Sequence, residues 1–83
     1  MKVRVYINYK PGILDPEGLT VNNALSTIGI KDIKNLSFGK CIMMEFDKSL
    51  SEDEVVNIIK KSCSELLVNP NTESYKYEII SNS

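Results

Sequence analysis

The sequence contains no histidine, and this absence excludes several kinds of chemistry from the chain. Ser-His-Asp and Cys-His nucleophilic sites, histidine-ligated zinc and imidazole acid–base catalysis all need the missing side chain. Arg4 is the only arginine, so a planar guanidinium clamp for phosphate would depend on one residue in a strand-like segment. We therefore expect no catalytic residue in this chain.

The net charge, the apolar runs and the cysteine content limit which partners and which cellular location we expect. Ten basic and 11 acidic residues give a formal net charge of −1, so no basic field attracts nucleic acid or an anionic membrane. The longest apolar run, Cys41–Met44, is far too short for a membrane span, and we expect a cytoplasmic protein. Cys41 and Cys63 lack disulfide-scaffold density and CxxC spacing, so both are expected to be small buried hydrophobic residues.

The N-terminal residues predict a strand with one apolar face. Val3, Val5 and Ile7 alternate with polar residues at a period of two. Tyr6 and Tyr9 lie off that register, so they mark the other face or the strand end. We expect the strand to stop at the dense group of turn residues that follows.

The segment Lys10–Gly18 contains a turn, a helix cap and the start of a helix. Its Pro-Gly pair stops the strand, because proline lacks an N–H and glycine adopts positive φ readily. Asp15 can accept hydrogen bonds from the free N–H groups that open a helix, and Pro16 tolerates the first helical position. Apolar spacing then predicts a helix from about Pro16 to Ile28, with Gly29 in a left-handed cap.

The middle of the chain predicts β-structure on either side of a glycine, as two strands or as one long strand. An alternating run begins at Leu36–Phe38 and continues through Phe46, and Gly39-Lys40 within it is either a hairpin turn or a bulge in one long strand. Alternate residues of the later part would face the helices: Ile42, Met44 and Phe46. The reverse face would carry an apolar patch, which indicates a contact with a second protein surface and is our predicted dimer face: Tyr6, Cys41 and Met43.

A second helix is predicted from about Glu52 to Leu67. Ser51 and Glu54 form a capping box, and apolar residues recur at helical spacing behind it. The acidic residues around this start are expected to cap the helix and not to bind a metal. After Asn69-Pro70, the alternation around Tyr75–Ile80 predicts a last strand.

These elements occur in the order strand, helix, strand, strand, helix, strand. That order predicts one α+β domain over residues 1–83 with the ferredoxin-like βαββαβ fold. We expect a four-stranded antiparallel sheet with two helices on one face, dimerising through the sheet.

The residues taken together resemble the PurS family, the small subunits of phosphoribosylformylglycinamidine (FGAM) synthase. The most specific match is Leu14–Gly18, read as Leu-Asp-Pro-x-Gly. The likeness extends over nearly the whole chain, through these further matches: Val3–Ile7, Lys10-Pro11-Gly12, Ala24-Leu25, Gly29, Gly39-Lys40, Ile42, Leu66-Leu67, Asn69-Pro70, Glu73 and Tyr75–Ile79.

The resemblance implies a non-catalytic assembly role in de novo purine synthesis. Proteins like PurS form homodimers or tetramers and join the ATP-dependent synthetase subunit PurL to the glutaminase subunit PurQ. The complex then uses ATP, magnesium and glutamine-derived ammonia to convert formylglycinamide ribonucleotide to its amidine, while this chain would bind no cofactor itself. Direct transfer of ammonia between fixed sites avoids its loss to bulk water.

The resemblance also implies which residues contact other subunits. They lie in the turn before the first helix and at the later Gly-Lys corner: Lys10, Pro11, Gly12, Leu14, Asp15, Gly18, Gly39 and Lys40. The chain departs from the family at Ser37, where an arginine is common, and at Asn71-Thr72, where an apolar pair is usual.

Two other classes of protein are compatible with this order of elements or with this chain length. A ferredoxin-like regulatory module of the ACT type would bind a small amino acid or nucleotide between paired chains. A small independent enzyme would need acid–base or nucleophile groups that the sequence lacks.

Overall fold

The computed structural model describes residues 1–81 and contains a three-stranded antiparallel sheet, two α-helices and a π-helical turn. Strand β1 is central, and β2 and β3 flank it. The elements in chain order are β1 (Lys2–Tyr9), α1 (Pro16–Thr27), β2 (Gly39–Glu45), α2 (Glu52–Ser62), the π turn (Cys63–Leu67) and β3 (Glu73–Ser81).

The predicted four-stranded sheet is wrong, because the segment Leu36–Phe38 forms no strand and β2 begins at Gly39. Both proposed arrangements around Gly39, a hairpin and a long bent strand, are therefore wrong as well. β1 is paired on both sides, since Val5 lies opposite Ile42 and Tyr77, so a further strand could pair only with the outer edge of β2 or β3, and Leu36–Phe38 pairs with neither. The backbone N–H of Phe38 instead donates to the Asp15 side chain, which takes this segment away from the sheet.

The core lies between the inner face of the sheet and α2. Fully buried residues come from β1 and from the α2 region: Val3, Val5, Ile7, Val55, Ile59 and Cys63. The predicted inward residues of β2 pack against this core, as do Tyr75, Tyr77 and Ile79 of β3. The period-two patterns of β1 and β2 therefore predicted the inner face correctly.

The segment between β1 and β2 contributes nothing to this core. In the described chain, neither the buried core nor the partly buried residues packed against it include any residue from 10 to 41. We call residues 10–38 the α1 arm. The molecule measures 52 × 28 × 15 Å, so the fold consists of a packed sheet-and-α2 lobe with an extended arm.

Local sequence signals set the helix ends as predicted. Gly29, at φ +93°, follows α1 in the left-handed region, and the N–H of Ile30 donates to the carbonyl of Leu25. At the start of α2, Ser51 and Glu54 form the capping box. The predicted second helix ends in the π turn, where the N–H of Val68 donates to the carbonyl of Cys63, five residues back.

Within residues 1–81, no helix combines the length and the apolar character needed to cross a membrane.

Candidate subunit-contact site

The predicted contact residues gather where the α1 arm leaves the sheet. The turn that connects β1 to α1 is exposed from Lys10 to Leu14, and Gly12 within it has φ +85°. Leu14 leaves 71% of its surface exposed. Lys40 lies on the neighbouring strand, paired with Ile7. The structure therefore brings the two predicted segments to one end of the sheet.

Lys10 fixes this end of the sheet to the loop before β3. Its backbone N–H donates to the carbonyl of Thr72 at 2.8 Å, and its ammonium Nζ donates to the carbonyl of Pro70 at 2.5 Å. Asn71 in the same loop donates its N–H to the side chain of Asn69 at 3.0 Å. This bond uses the backbone of Asn71, so it does not depend on the side chain at that position.

Asp15 joins the start of α1 to the start of β2. Its Oδ1 accepts from the N–H of Gly18 at 3.0 Å, and its Oδ2 accepts from the N–H of Phe38 at 2.7 Å. These N–H donors, first Gly18 and then Phe38, stabilise the charged carboxylate and lower the pKa of Asp15. Asp15 is therefore a positioning residue at the base of the arm.

Two glycines allow the backbone segments at this junction to approach closely. A Cβ on Gly18 would lie 2.6 Å from the carbonyl oxygen of Leu36. A Cβ on Gly39 would lie 2.8 Å from the carbonyl oxygen of Ile7 and closer still to the side chain of Asn8. Any larger residue at either position would force the backbones apart, so the predicted glycines shape the junction and need not touch a partner.

A concave site of about 270 Å³ opens beside the junction, and sequence patterns did not predict it. Its walls combine two aromatic rings with acidic and basic side chains: Ile7, Tyr9, Glu17, Phe38, Gly39, Lys40 and Glu73. Glu73 also accepts a hydrogen bond from the N–H of Asn69 at 2.9 Å. Strand pairing brings Ile7, Tyr9, Gly39, Lys40 and Glu73 together, and the position of the arm adds Glu17 and Phe38.

The predicted dimer face lies on the outer side of the sheet. Tyr6 pairs with Cys41, and Met43 pairs with Arg4, whose guanidinium donates to the Tyr6 hydroxyl at 3.2 Å. This hydrogen bond is the main reason that the pKa of Arg4 is raised. The face is therefore a mixed apolar and charged surface, with Met43 exposed by 49%.

The two cysteines differ in exposure. Cys63 is fully buried in the core, and this burial raises the pKa of its thiol. The prediction that Cys41 is buried is wrong, because its strand position points to the uncovered outer face. Among residues 1–81, no group of three or more histidine, cysteine and carboxylate side chains is arranged to hold a metal ion.

Comparison with known families gives one consistent result. A family model described as PurS, phosphoribosylformylglycinamidine (FGAM) synthase, matches residues 2–81. The PurS subunit of Bacillus subtilis strain 168 is 33% identical over 78 residues, covering 94% of this chain and 90% of that protein. The PurS subunit of Thermotoga maritima is 33% identical over 75 residues, covering 90% of each.

Solved structures agree with the sequence comparison. A crystal form of B. subtilis PurS superposes with a TM-score of 0.84 at 30% identity, covering 96% of this chain and 98% of that one. A chain from a structure described as PurLQS from Thermotoga maritima superposes with a TM-score of 0.83 at 32% identity, covering 93% of both chains.

Proposed function

This chain belongs to the PurS family of FGAM synthase subunits, and from that membership we propose that it connects the synthetase subunit PurL to the glutaminase subunit PurQ. The observation that carries the proposal is the likeness, over 93% of both chains, to a chain of the T. maritima PurLQS structure. The likeness reaches 93% of that chain, which supports placing the surfaces needed for assembly within this one.

The proposed role is structural. PurL would use ATP and magnesium, PurQ would release ammonia from glutamine, and this chain would hold the two in one cytoplasmic complex without binding a cofactor. Fixed geometry would then let ammonia react with formylglycinamide ribonucleotide before it escapes into water. The absence of histidine from the sequence supports a role that depends on surfaces and not on proton transfer.

We assign the contact with the other subunits to the exposed part of the junction. Lys10 through Leu14 and Lys40 are exposed there, beside the concave site. Asp15, Gly18 and Gly39 would act indirectly, because they set the position of the backbone that carries these residues. This division separates residues that touch a partner from residues that shape the site.

We also propose that the chain forms a homo-oligomer. Its surface of 6181 Å² exceeds the roughly 5,000 Å² expected for a compact monomer of 9.3 kDa. Much of the exposed apolar surface lies on the α1 arm, including Leu14, Leu19 and Ile28. A second copy or another subunit would be needed to cover it. The assignment of Tyr6, Cys41 and Met43 to a dimer face stays a prediction.

Analytical ultracentrifugation with the cognate PurL and PurQ, ADP and glutamine tests the assembly role. We expect a ternary species that contains all three chains, and FGAM synthase activity that needs this chain. If no ternary species forms at any ratio of the chains, the proposal is wrong.

A pair of charge-reversed variants tests the assigned surface. Lys40→Glu should weaken the ternary complex, because it changes an exposed side chain at the junction. Lys48→Glu is the matched control, since Lys48 is also exposed but lies in the turn before α2. Equal affinity of both variants for PurL and PurQ would remove Lys40 from the contact surface.

A further inference from the structure

The concave site beside the junction brings charges of both signs and two aromatic rings into one small volume. Glu17 of α1 and Glu73 of β3 supply carboxylates, and Lys40 of β2 supplies an ammonium group. Tyr9 and Phe38 line the same walls, and each leaves 38% of its surface exposed. The proposed assembly role assigns no ligand to these groups.

The charged groups of this site have unused bonding capacity. In the part of the chain that the structure describes, neither Glu17 nor Lys40 takes part in an ion pair. Glu73 uses Oε1 to accept from the N–H of Asn69, which leaves its second carboxylate oxygen for another donor. A ligand could therefore bond to groups of both signs without displacing these contacts of the fold.

The charges and the volume of the site limit the class of ligand. Two carboxylates beside one ammonium group disfavour a phosphate, so a nucleotide does not match the site. The volume of about 270 Å³ is just below the roughly 300–1,000 Å³ of sites for drug-sized ligands. A small molecule with one ammonium and one carboxylate group would meet opposite charges at both ends, and aromatic rings also attract an ammonium group.

An apolar depression adjoins the concave site and indicates what else the ligand carries. It has a volume of about 290 Å³ and shares Glu17 and Phe38 with the concave site. The rest of its lining comes from the first two turns of α1: Pro16, Thr20 and Val21. An apolar group attached to the same small molecule would leave water there, which favours binding.

We propose that the concave site binds a free α-amino acid with an apolar side chain. Its ammonium group would bond to the carboxylates of Glu17 and Glu73, and its carboxylate would accept from Nζ of Lys40. Its side chain would pack against Phe38 in the adjoining depression. All of these groups belong to one chain, so the site needs no second copy.

The ligand would also fix the α1 arm to the sheet. Glu17 and Phe38 belong to the arm, whereas Tyr9, Lys40 and Glu73 belong to the three strands. A ligand that contacts both parts stabilises the conformation in which they lie together. We therefore expect a saturating amino acid to slow hydrogen exchange at the backbone amide of Phe38.

NMR titration of the isotope-labelled chain tests the site with five amino acids: valine, leucine, isoleucine, methionine and phenylalanine. At least one should give saturable shifts at the amides of Tyr9, Phe38 and Lys40 but not at Lys60 in α2. Its N-acetyl form lacks the ammonium group and its amide form lacks the carboxylate, so each should bind about tenfold more weakly. The inference is overturned if none of the five gives these shifts up to its solubility limit, or if both modified forms bind as well as the amino acid. Tighter binding of inorganic phosphate at the same amides would also overturn it.

Two charge-removing variants give a second measurement. Glu17→Gln and Lys40→Gln should each lower the affinity about tenfold, because each loses one charge-assisted hydrogen bond. Both residues are exposed, so circular dichroism should stay unchanged. Glu52→Gln and Lys48→Gln are the controls, since both residues are exposed but lie at or before the start of α2. Wild-type affinity in both site variants would overturn the assignment.

The test is separate from that of the assembly role. The titration uses this chain alone, whereas ultracentrifugation follows the ternary complex with PurL and PurQ. A ternary complex without amino-acid binding would refute this inference and leave the assembly role standing. Amino-acid binding without a ternary complex would do the reverse.

Discussion

Asp15 and Phe38 are 23 positions apart, and the backbone N–H of Phe38 donates to Oδ2 of Asp15 at 2.7 Å. The other carboxylate oxygen of Asp15 caps α1 through the N–H of Gly18. One side chain therefore joins the first turn of α1 to the residue just before β2. Among the described residues, the buried core and the apolar residues packed on it include none from the α1 arm, so this carboxylate is a main determinant of where the arm begins and returns.

Asp15→Asn should loosen the base of the arm. An amide has one carbonyl oxygen, so it can accept from Gly18 or from Phe38 but not equally from both. We expect hydrogen exchange at one of these two amides to accelerate about tenfold, which NMR can measure. Asp32→Asn is the control, because Asp32 is an exposed acid of the same arm. Unchanged exchange at both amides would contradict the proposed role of Asp15.

The stability of the arm should depend on pH through the same carboxylate. The pKa of Asp15 is lowered in the folded chain by the N–H donors of Gly18 and Phe38. The stabilisation is therefore present above the ordinary pKa of 3.8, which the group has in the unfolded chain, and is lost as the pH falls through the lower folded value.

The amide chemical shift of Phe38 reports this transition. The measurement is made in an Asp47→Asn variant. Donors from Ser49 lower the pKa of Asp47 as well, so this substitution removes a second carboxylate that would titrate in the same pH range. We expect a midpoint below 3.8, the ordinary value for this group, and a flat profile when Asp15→Asn is added. A midpoint at or above 3.8 would contradict the prediction.

Gly18→Ala should destabilise the protein although alanine is the better helix former. The propensity gain is about 1 kcal/mol. The added Cβ would lie 2.6 Å from the carbonyl oxygen of Leu36 and 2.8 Å from Oδ2 of Asp15, so backbone must move. Overpacking costs about 1–3 kcal/mol. Urea unfolding should therefore show a net loss, while the exposed control Asn23→Ala should be neutral or stabilising.

Ser51→Ala should lower the free energy of unfolding by about 1 kcal/mol. The hydroxyl of Ser51 accepts from the N–H of Glu54 at 3.2 Å, and the carboxylate of Glu54 accepts from the N–H of Ser51 at 3.3 Å. Ser64→Ala is a suitable control, since its hydroxyl only donates to the carbonyl of Lys61 within the helical segment. A loss for Ser51→Ala no larger than that for Ser64→Ala would refute the capping claim.

The two cysteines should react at very different rates with a thiol reagent. Cys41 is exposed on the outer face, whereas Cys63 is buried and its thiol pKa is raised by desolvation. We expect one reactive thiol in the native protein and two in denaturant. If Cys41 is labelled more slowly at higher protein concentration, a second copy covers it. That result would support the predicted dimer face of Tyr6, Cys41 and Met43. Cys41→Ser identifies which thiol reacts first.

Local signals were sufficient for most of the elements. The cap at Asp15, the capping box at Ser51 and the left-handed Gly29 each depend on residues within one helical turn, and each lies where the pattern predicted. The inner faces of β1 and β2 were also predictable, because alternation assigns each residue to one side of a strand. The candidate contact residues came from the family resemblance, and no periodicity identified them.

The missing fourth strand is a feature that local sequence patterns do not predict. Leu36–Phe38 has the alternation of a strand, yet a strand forms only where its backbone groups pair with those of a neighbouring strand. β1 is the central strand, so a further strand could pair only with the outer edge of β2 or β3, and Leu36–Phe38 pairs with neither. The N–H of Phe38 is instead satisfied by Asp15, which lies 23 positions earlier. The exposed thiol of Cys41 was missed for a related reason, since apolar character does not show whether a face is covered.

The sequence by itself determined the helix ends, the faces of the strands, the lack of imidazole chemistry and the family, because each depends on residue type and short spacing. Tertiary structure decided the number of strands, the separation of the α1 arm from the core and the concave site beside Lys40. These features depend on which backbone groups and apolar surfaces remain unpaired after β1, β2, β3 and α2 have packed together. That outcome is set by contacts between distant segments, which no local pattern records.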